Sequence, residues 1–183
     1  MHYRVTDCLQ SWGFAGLSVL VLVTTAWLSY AGQVLVTAQA PHGIVSYELA
    51  RSVDGARAIL ASWPPPARAA ALLIQGVDYL YLVLYPAWFA LAAERLGGRL
   101  GGSWRRVGVI VSWAALAAAP LDAVENYALI HQLMDAPSAT HASLAWWCAV
   151  PKFALVGLAA AFLVFGGGEW LRRALGARSR PAR

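Results

Sequence analysis

The sequence predicts an all-α membrane protein: a four-transmembrane-helix bundle with an amphipathic helix on its outer face between spans one and two. Three observations lead there. Of 183 residues, 60% are apolar and only 13% charged, about half the roughly 25% charge of a soluble domain. The apolar residues gather into four long runs, each able to supply the ~20 residues that carry a helix across a bilayer core. The arginines lie almost entirely between and beyond those runs. A water-soluble chain this short could not bury so much apolar surface. Disorder and a disulfide scaffold fail on the same composition. Strands are excluded because the runs lack alternation and far exceed the length of a barrel strand.

The first span covers about residues 14–36 and carries no charge. Arg4 before it and Ala38-Gln39-Ala40 after it imitate a signal peptide, but the run exceeds an h-region of about 7–15 residues. An uncleaved signal anchor is expected. The next segment, about 44–63, has a helical period: Val45, Leu49, Val53, Ala56, Leu60 and Trp63 share one face. Glu48, Arg51, Asp54 and Arg57 fall on the other faces, spaced for Glu48–Arg51 and Asp54–Arg57 pairs. This helix is expected in the outer interface as a lid over the bundle. The alternative is a gate over a ligand site, with Glu48 turned inward. Pro64-Pro65-Pro66 ends it. Spans two to four follow at about 69–93, 107–133 and 142–165, and a basic tail occupies 166–183. The whole chain forms a single membrane domain.

Orientation follows from arginine placement. Arg4, the loop arginines Arg95, Arg99, Arg105 and Arg106, and the tail arginines Arg172, Arg173, Arg178, Arg180 and Arg183 share one side. The loop between spans three and four has no arginine or lysine, and the first long loop has Arg51, Arg57 and Arg68. Both termini are therefore expected in the cytoplasm of a multi-pass inner (plasma) membrane protein. Trp12, Trp104 and Trp170 are expected at the inner interface and Trp63 at the outer one. The net charge of +5 reflects this topology and attraction to anionic lipid heads; no surface suited to nucleic acid is expected. Gly97-Gly98 and Gly101-Gly102 are expected to form a flexible inner turn. Cys8 and Cys148 fall in opposite membrane halves, so no disulfide is expected.

The most informative feature is a match in depth. Asp78 on span two, Asp122 and Glu125 on span three, and Lys152 on span four are the ionisable groups within the predicted spans. At about 1.5 Å per residue, all four lie roughly 12–17 Å below the outer surface. Thr25 and Ser29 of span one reach the same layer. Each buried charge costs about 2.5–3.5 kcal/mol on insertion scales, so such groups face the bundle interior and pair there. Asp122, Glu125, Asn126 and Leu129 share a helical face, as do Gln75, Asp78, Tyr81 and Tyr85. Pro120 and Pro151 can free carbonyls beside the layer. The expected cluster shares Lys152 among Asp78, Asp122 and Glu125. Three carboxylates against one ammonium leave an excess of negative charge, which calls for a bound proton or a cationic ligand.

Asp122 and Glu125 are the expected acid–base pair if the site is catalytic. Asp78, Asn126, Lys152, Tyr81, Tyr85 and Glu48 are the expected ligand-binding residues. His131 and His141 lack ligand spacing to the acids, so no metal site is expected. Serine or cysteine hydrolase patterns and cofactor motifs are absent from the sequence, and no cofactor is expected.

Through 44–63, 78–86, the run Leu121-Asp122-Ala123-Val124-Glu125-Asn126, and Lys152-Phe153, the chain resembles a group of small uncharacterised bacterial four-span membrane proteins with an L-D-x-x-E-N signature. That likeness implies the four-span fold and no activity. In layout, with acids and an asparagine converging at one depth, it is also similar to the EXPERA family of sterol isomerases and sterol- or lipid-binding proteins. Lys152 departs from that pattern, and no catalytic residue carries over. The leading expectation is binding or processing of a lipid or other hydrophobic small molecule, with membrane lipids as partners. One alternative is a proton-coupled transporter or channel subunit, which at four spans would need to form a homo-oligomer. Another is a non-catalytic assembly subunit whose cluster only fixes helix register.

Overall fold

The computed structural model describes residues 2–178, with side chains over 11–176. The side chains of Arg4, Cys8, Arg178, Arg180 and Arg183, which enter the orientation and disulfide expectations, lie outside the described residues. The chain runs through α1 (His2–Ala31), a 3-10 turn (Gly32–Leu35), α2 (Ile44–Glu48), α3 (Val53–Ser62), α4 (Pro65–Leu100), α5 (Gly102–Met134) and α6 (Ala139–Arg178). Four of these helices are long and apolar enough to cross a membrane, and no strand occurs among the described residues. The protein is an all-α, four-span, multi-pass membrane protein.

The spanning helices outlast the apolar runs that announce them. Helices α4, α5 and α6 contain 36, 33 and 40 residues, well beyond the ~20 that a bilayer core requires. The expected loop between spans two and three shrinks to Gly101, because α4 ends at Leu100 and α5 starts at Gly102. Gly101 and Gly102 make the reversal with φ of 71° and 54°, a region open to glycine without a Cβ clash. Gly97 and Gly98 are helical and not part of a flexible turn. Gly97 and Gly108 let α4 and α5 touch backbone to backbone. A Cβ on Gly97 would lie 2.7 Å from the Trp104 carbonyl oxygen, and one on Gly108 would lie 2.8 Å from that of Ala93. The tail continues α6, where Glu169 holds Arg172 and Arg173 at 2.7 Å each.

Helix α5 lies between α4 and α6, while α1 packs chiefly along α4 and exposes Val19, Leu20, Leu22 and Val23. The opposite end of the bundle is roofed by residues 32–64. The single amphipathic helix expected over 44–63 is two helices, broken at Leu49–Ser52. Arg51 adopts φ 57° in that break, and Ser52 restarts the helix by accepting a hydrogen bond from the Gly55 amide at 3.1 Å. The Asp54–Arg57 pair forms at 3.9 Å. Arg51 sits over the Trp146 ring, 4.8 Å from its centroid, and Glu48 points elsewhere.

The roof is fastened by polar contacts as well as by packing. Trp63, expected at a lipid interface, is fully buried, and its Nε1 donates to the Leu35 carbonyl at 2.8 Å. Its ring packs against Tyr47 with centroids 5.3 Å apart. The Arg68 guanidinium donates to the Leu60 carbonyl at 2.6 Å, tying the roof to the first turn of α4. Leu35, Tyr47, Trp63 and Leu129 thereby join roof and spans in one core. This burial seats α2 directly above the polar layer.

Candidate functional site

Lys152 of α6 is the hub. Its Nζ lies 2.8 Å from Glu125 Oε2, 3.0 Å from Asp122 Oδ1 and 3.7 Å from Glu48 Oε2. Only the Asp122 contact is a well-directed hydrogen bond; the others are close charge pairs. The second Asp122 oxygen accepts from the Tyr85 hydroxyl at 2.8 Å. Both Asp122 oxygens are thus engaged, one by α6 and one by α4.

Asp78 does not share Lys152 as the sequence leads one to expect. Its Oδ2 accepts from Asn126 Nδ2 at 2.6 Å, and Gln75 Nε2 donates to Asn126 Oδ1 at 3.0 Å. The third place on Lys152 belongs to Glu48, from the roof. Tyr81 hydrogen-bonds Thr25 of α1 at 2.9 Å, and Tyr79 donates to the Ala123 carbonyl at 3.2 Å.

Glu48, which the helical period sets off the apolar face and only the alternative reading turns inward, is turned inward. It keeps only 7% of its surface exposed. Burial pushes its carboxyl above the usual range, against the pull of the Lys152 ammonium. Glu48 Oε2 and both Glu125 oxygens accept no directed hydrogen bond although they are buried. The two carboxyls neighbour each other, so one proton shared between them would supply a donor that both lack. Three carboxyl groups therefore crowd around one ammonium, a fourth, Asp78, is held beside them by Asn126, and the cluster carries more acid than its cation neutralises. A desolvated excess of this kind calls for a proton or another positive charge.

A cavity of about 250 Å³ opens onto this layer. Glu48, Asp78, Asp122, Lys152, Tyr81 and Tyr85 form its polar wall, and Val45, Phe89, Phe153 and Val156 its apolar wall. Phe153 is 38% exposed, and Tyr81, Phe89 and Val156 are partly exposed, so this flank faces the surroundings of the bundle. Glu125 does not line the cavity; it sits buried and in contact with Lys152. The apolar wall is not among the residues expected from sequence, yet a signal for it is present. Phe89 follows Tyr85 by four residues and Val156 follows Lys152 by four, so each shares a helical face with a polar site residue.

The other polar features stand apart. His131 and His141 stack with centroids 5.3 Å apart, bonded to Asp135 and Ser138 at 3.2 and 3.1 Å. No group of three histidine, cysteine or acidic side chains among the described residues is placed to hold a metal ion.

What the fold and site define is a class: a four-span helical membrane protein with an ionisable cluster beneath a folded roof. No family model, curated protein or solved structure matches the chain.

Proposed function

We propose that the protein binds a lipid or another hydrophobic small molecule, with the polar end of the ligand at the acid layer and its apolar part along Phe153 and Val156. The observation that carries this reading is the cavity of about 250 Å³, polar on one wall and apolar on the other, with a partly exposed flank. Ligand sites commonly span about 300–1,000 Å³, so this one suits a head and the first carbons of a chain whose remainder lies in the membrane. The arginine distribution orients both termini to the cytoplasm of a bacterial inner membrane, with the site in the outer half. If the bound molecule undergoes proton transfer, Glu48, Asp78 and Asp122 are the acids that meet it. Glu125 then acts through Lys152, and not as a direct partner of Asp122.

The test is extraction and mass spectrometry of protein purified in a neutral maltoside detergent. A co-purifying amphiphile near one per chain is expected, and Val156→Trp, which fills the cavity, should remove it. Wild-type protein that carries no amphiphile and takes up none when offered would overturn the reading.

A further inference from the structure

The charges around the cavity restrict what the polar end of a ligand can be. Among the described residues, Lys152 is the only cation in its wall, and it is already committed. An ammonium has three N–H donors, and three carboxylates surround this one at 2.8, 3.0 and 3.7 Å. A phosphate or carboxylate head would compete with three carboxyl groups for that ammonium and would meet Glu48, Asp78 and Asp122 in the wall. Its desolvation cost and the like-charge repulsion would both oppose entry.

The acceptors on the same wall are in surplus. Glu48 lines the cavity, and its Oε2 is buried and accepts no hydrogen bond. Of Asp78, only Oδ2 is occupied, by Asn126. The neutral groups of the wall are largely engaged as well, Tyr85 with Asp122 and Tyr81 with Thr25. A neutral hydroxyl could satisfy one acceptor but would leave the excess negative charge uncompensated. A protonated amine brings several donors and a positive charge, and charge-assisted hydrogen bonds are the stronger kind.

We infer that the ligand of this cavity is a cationic amphiphile, a hydrophobic chain or ring system ending in a protonated amine that binds between Glu48 and Asp78. This rests on the reading of the cavity as a hydrophobic-ligand site and narrows it to one head-group chemistry. Glu48 and Asp78 come from the roof and from α4, so the amine also joins two elements that make no direct ion pair among the described residues. Asn126 orients Asp78, and Lys152 holds Asp122 and Glu125 behind it.

The experiment compares dodecylamine, dodecanol and dodecanoate, each titrated into the full chain in lipid nanodiscs at neutral pH. Empty nanodiscs correct for partitioning into lipid. The amine should bind at least about tenfold more tightly than either other probe, the advantage expected of one charge-assisted hydrogen bond. Asp78→Asn should abolish that advantage while dodecanol binding stays within about twofold. Equal binding of the three probes, or preference for dodecanoate, overturns the inference and leaves a hydrophobic-ligand site standing. No binding of any probe, together with no co-purified amphiphile, overturns both. Should Asp78→Asn fail to fold, the comparison of probes on the wild-type protein decides alone.

Discussion

The two ends of the bundle are both closely packed, by opposite means. At the Gly101 end, α4 and α5 meet through absent side chains: Gly97 and Gly108 bring backbone against backbone, with Ala93, Val111 and Ala115 filling around them. At the roof end, the same helices are joined by polar side chains that hold one another, with Trp63 and Tyr47 closing the top. The glycine end has no room for a side chain between its helices. The roof end is ordered by directed contacts, and it keeps a cavity and an unsatisfied acid surplus. Ordinary helix packing accounts for the first end. The second carries polar groups that packing alone does not require, which is why the proposed function is put there.

Substitutions can break this contrast. The largest effect is expected at Lys152→Met, which strips the shared counter-ion from Glu48, Asp122 and Glu125. Losing one partner of a buried ion pair costs about 3–5 kcal/mol, measurable by reversible unfolding in mixed detergent micelles. Adding Glu125→Gln should recover part of that loss. A Lys152→Met protein as stable as wild type would show that the cluster is already neutralised without it.

The glycine end should respond to volume and not to charge. Gly108→Val places a branched side chain where even a Cβ lies 2.8 Å from a backbone oxygen, and overpacking costs about 1–3 kcal/mol. Because the strain falls far from the cavity, ligand binding should survive wherever the protein folds. Binding lost in step with stability would mean that the two ends are coupled and not separate. The smallest effect is expected at Asp54→Ala. Its pair with Arg57 spans 3.9 Å between exposed side chains on the outside of the roof, so stability should change by under about 0.5 kcal/mol. A larger loss would show that the outer surface of the roof contributes to closing the site.

Much of the site is legible in the order of residues alone. Asp78, Asp122, Glu125 and Lys152 announce themselves because charges within apolar runs are rare and expensive. Tyr85 follows from sharing a helical face with Asp78. Glu48 is named among the expected ligand-binding residues, but its inward turn stands only as the alternative, because the period over 44–63 assumes one continuous helix. The chain breaks that helix at Leu49–Ser52, and the interruption frees α2 to turn its carboxyl toward Lys152. Residue type alone places Trp63 at a lipid interface, whereas the Leu35 carbonyl offers its indole a buried partner from a segment 28 residues earlier. Gly97 reads as part of a turn because composition cannot distinguish a glycine that bends a chain from one that lets two helices touch.

The four spans, their helical nature and the common depth of the charged layer are all written into the chain as one-dimensional properties. Hydropathy reads along the chain, and helical rise converts residue count into depth. Which acid faces which donor is settled in three dimensions, as is the pairing of Asp78 with Asn126 instead of Lys152. So is the cavity that opens between α2 and the acid layer. These features depend on how each helix is rotated about its axis and on how a loop folds back. Both are set by contacts between residues far apart in the chain, and no local pattern encodes them.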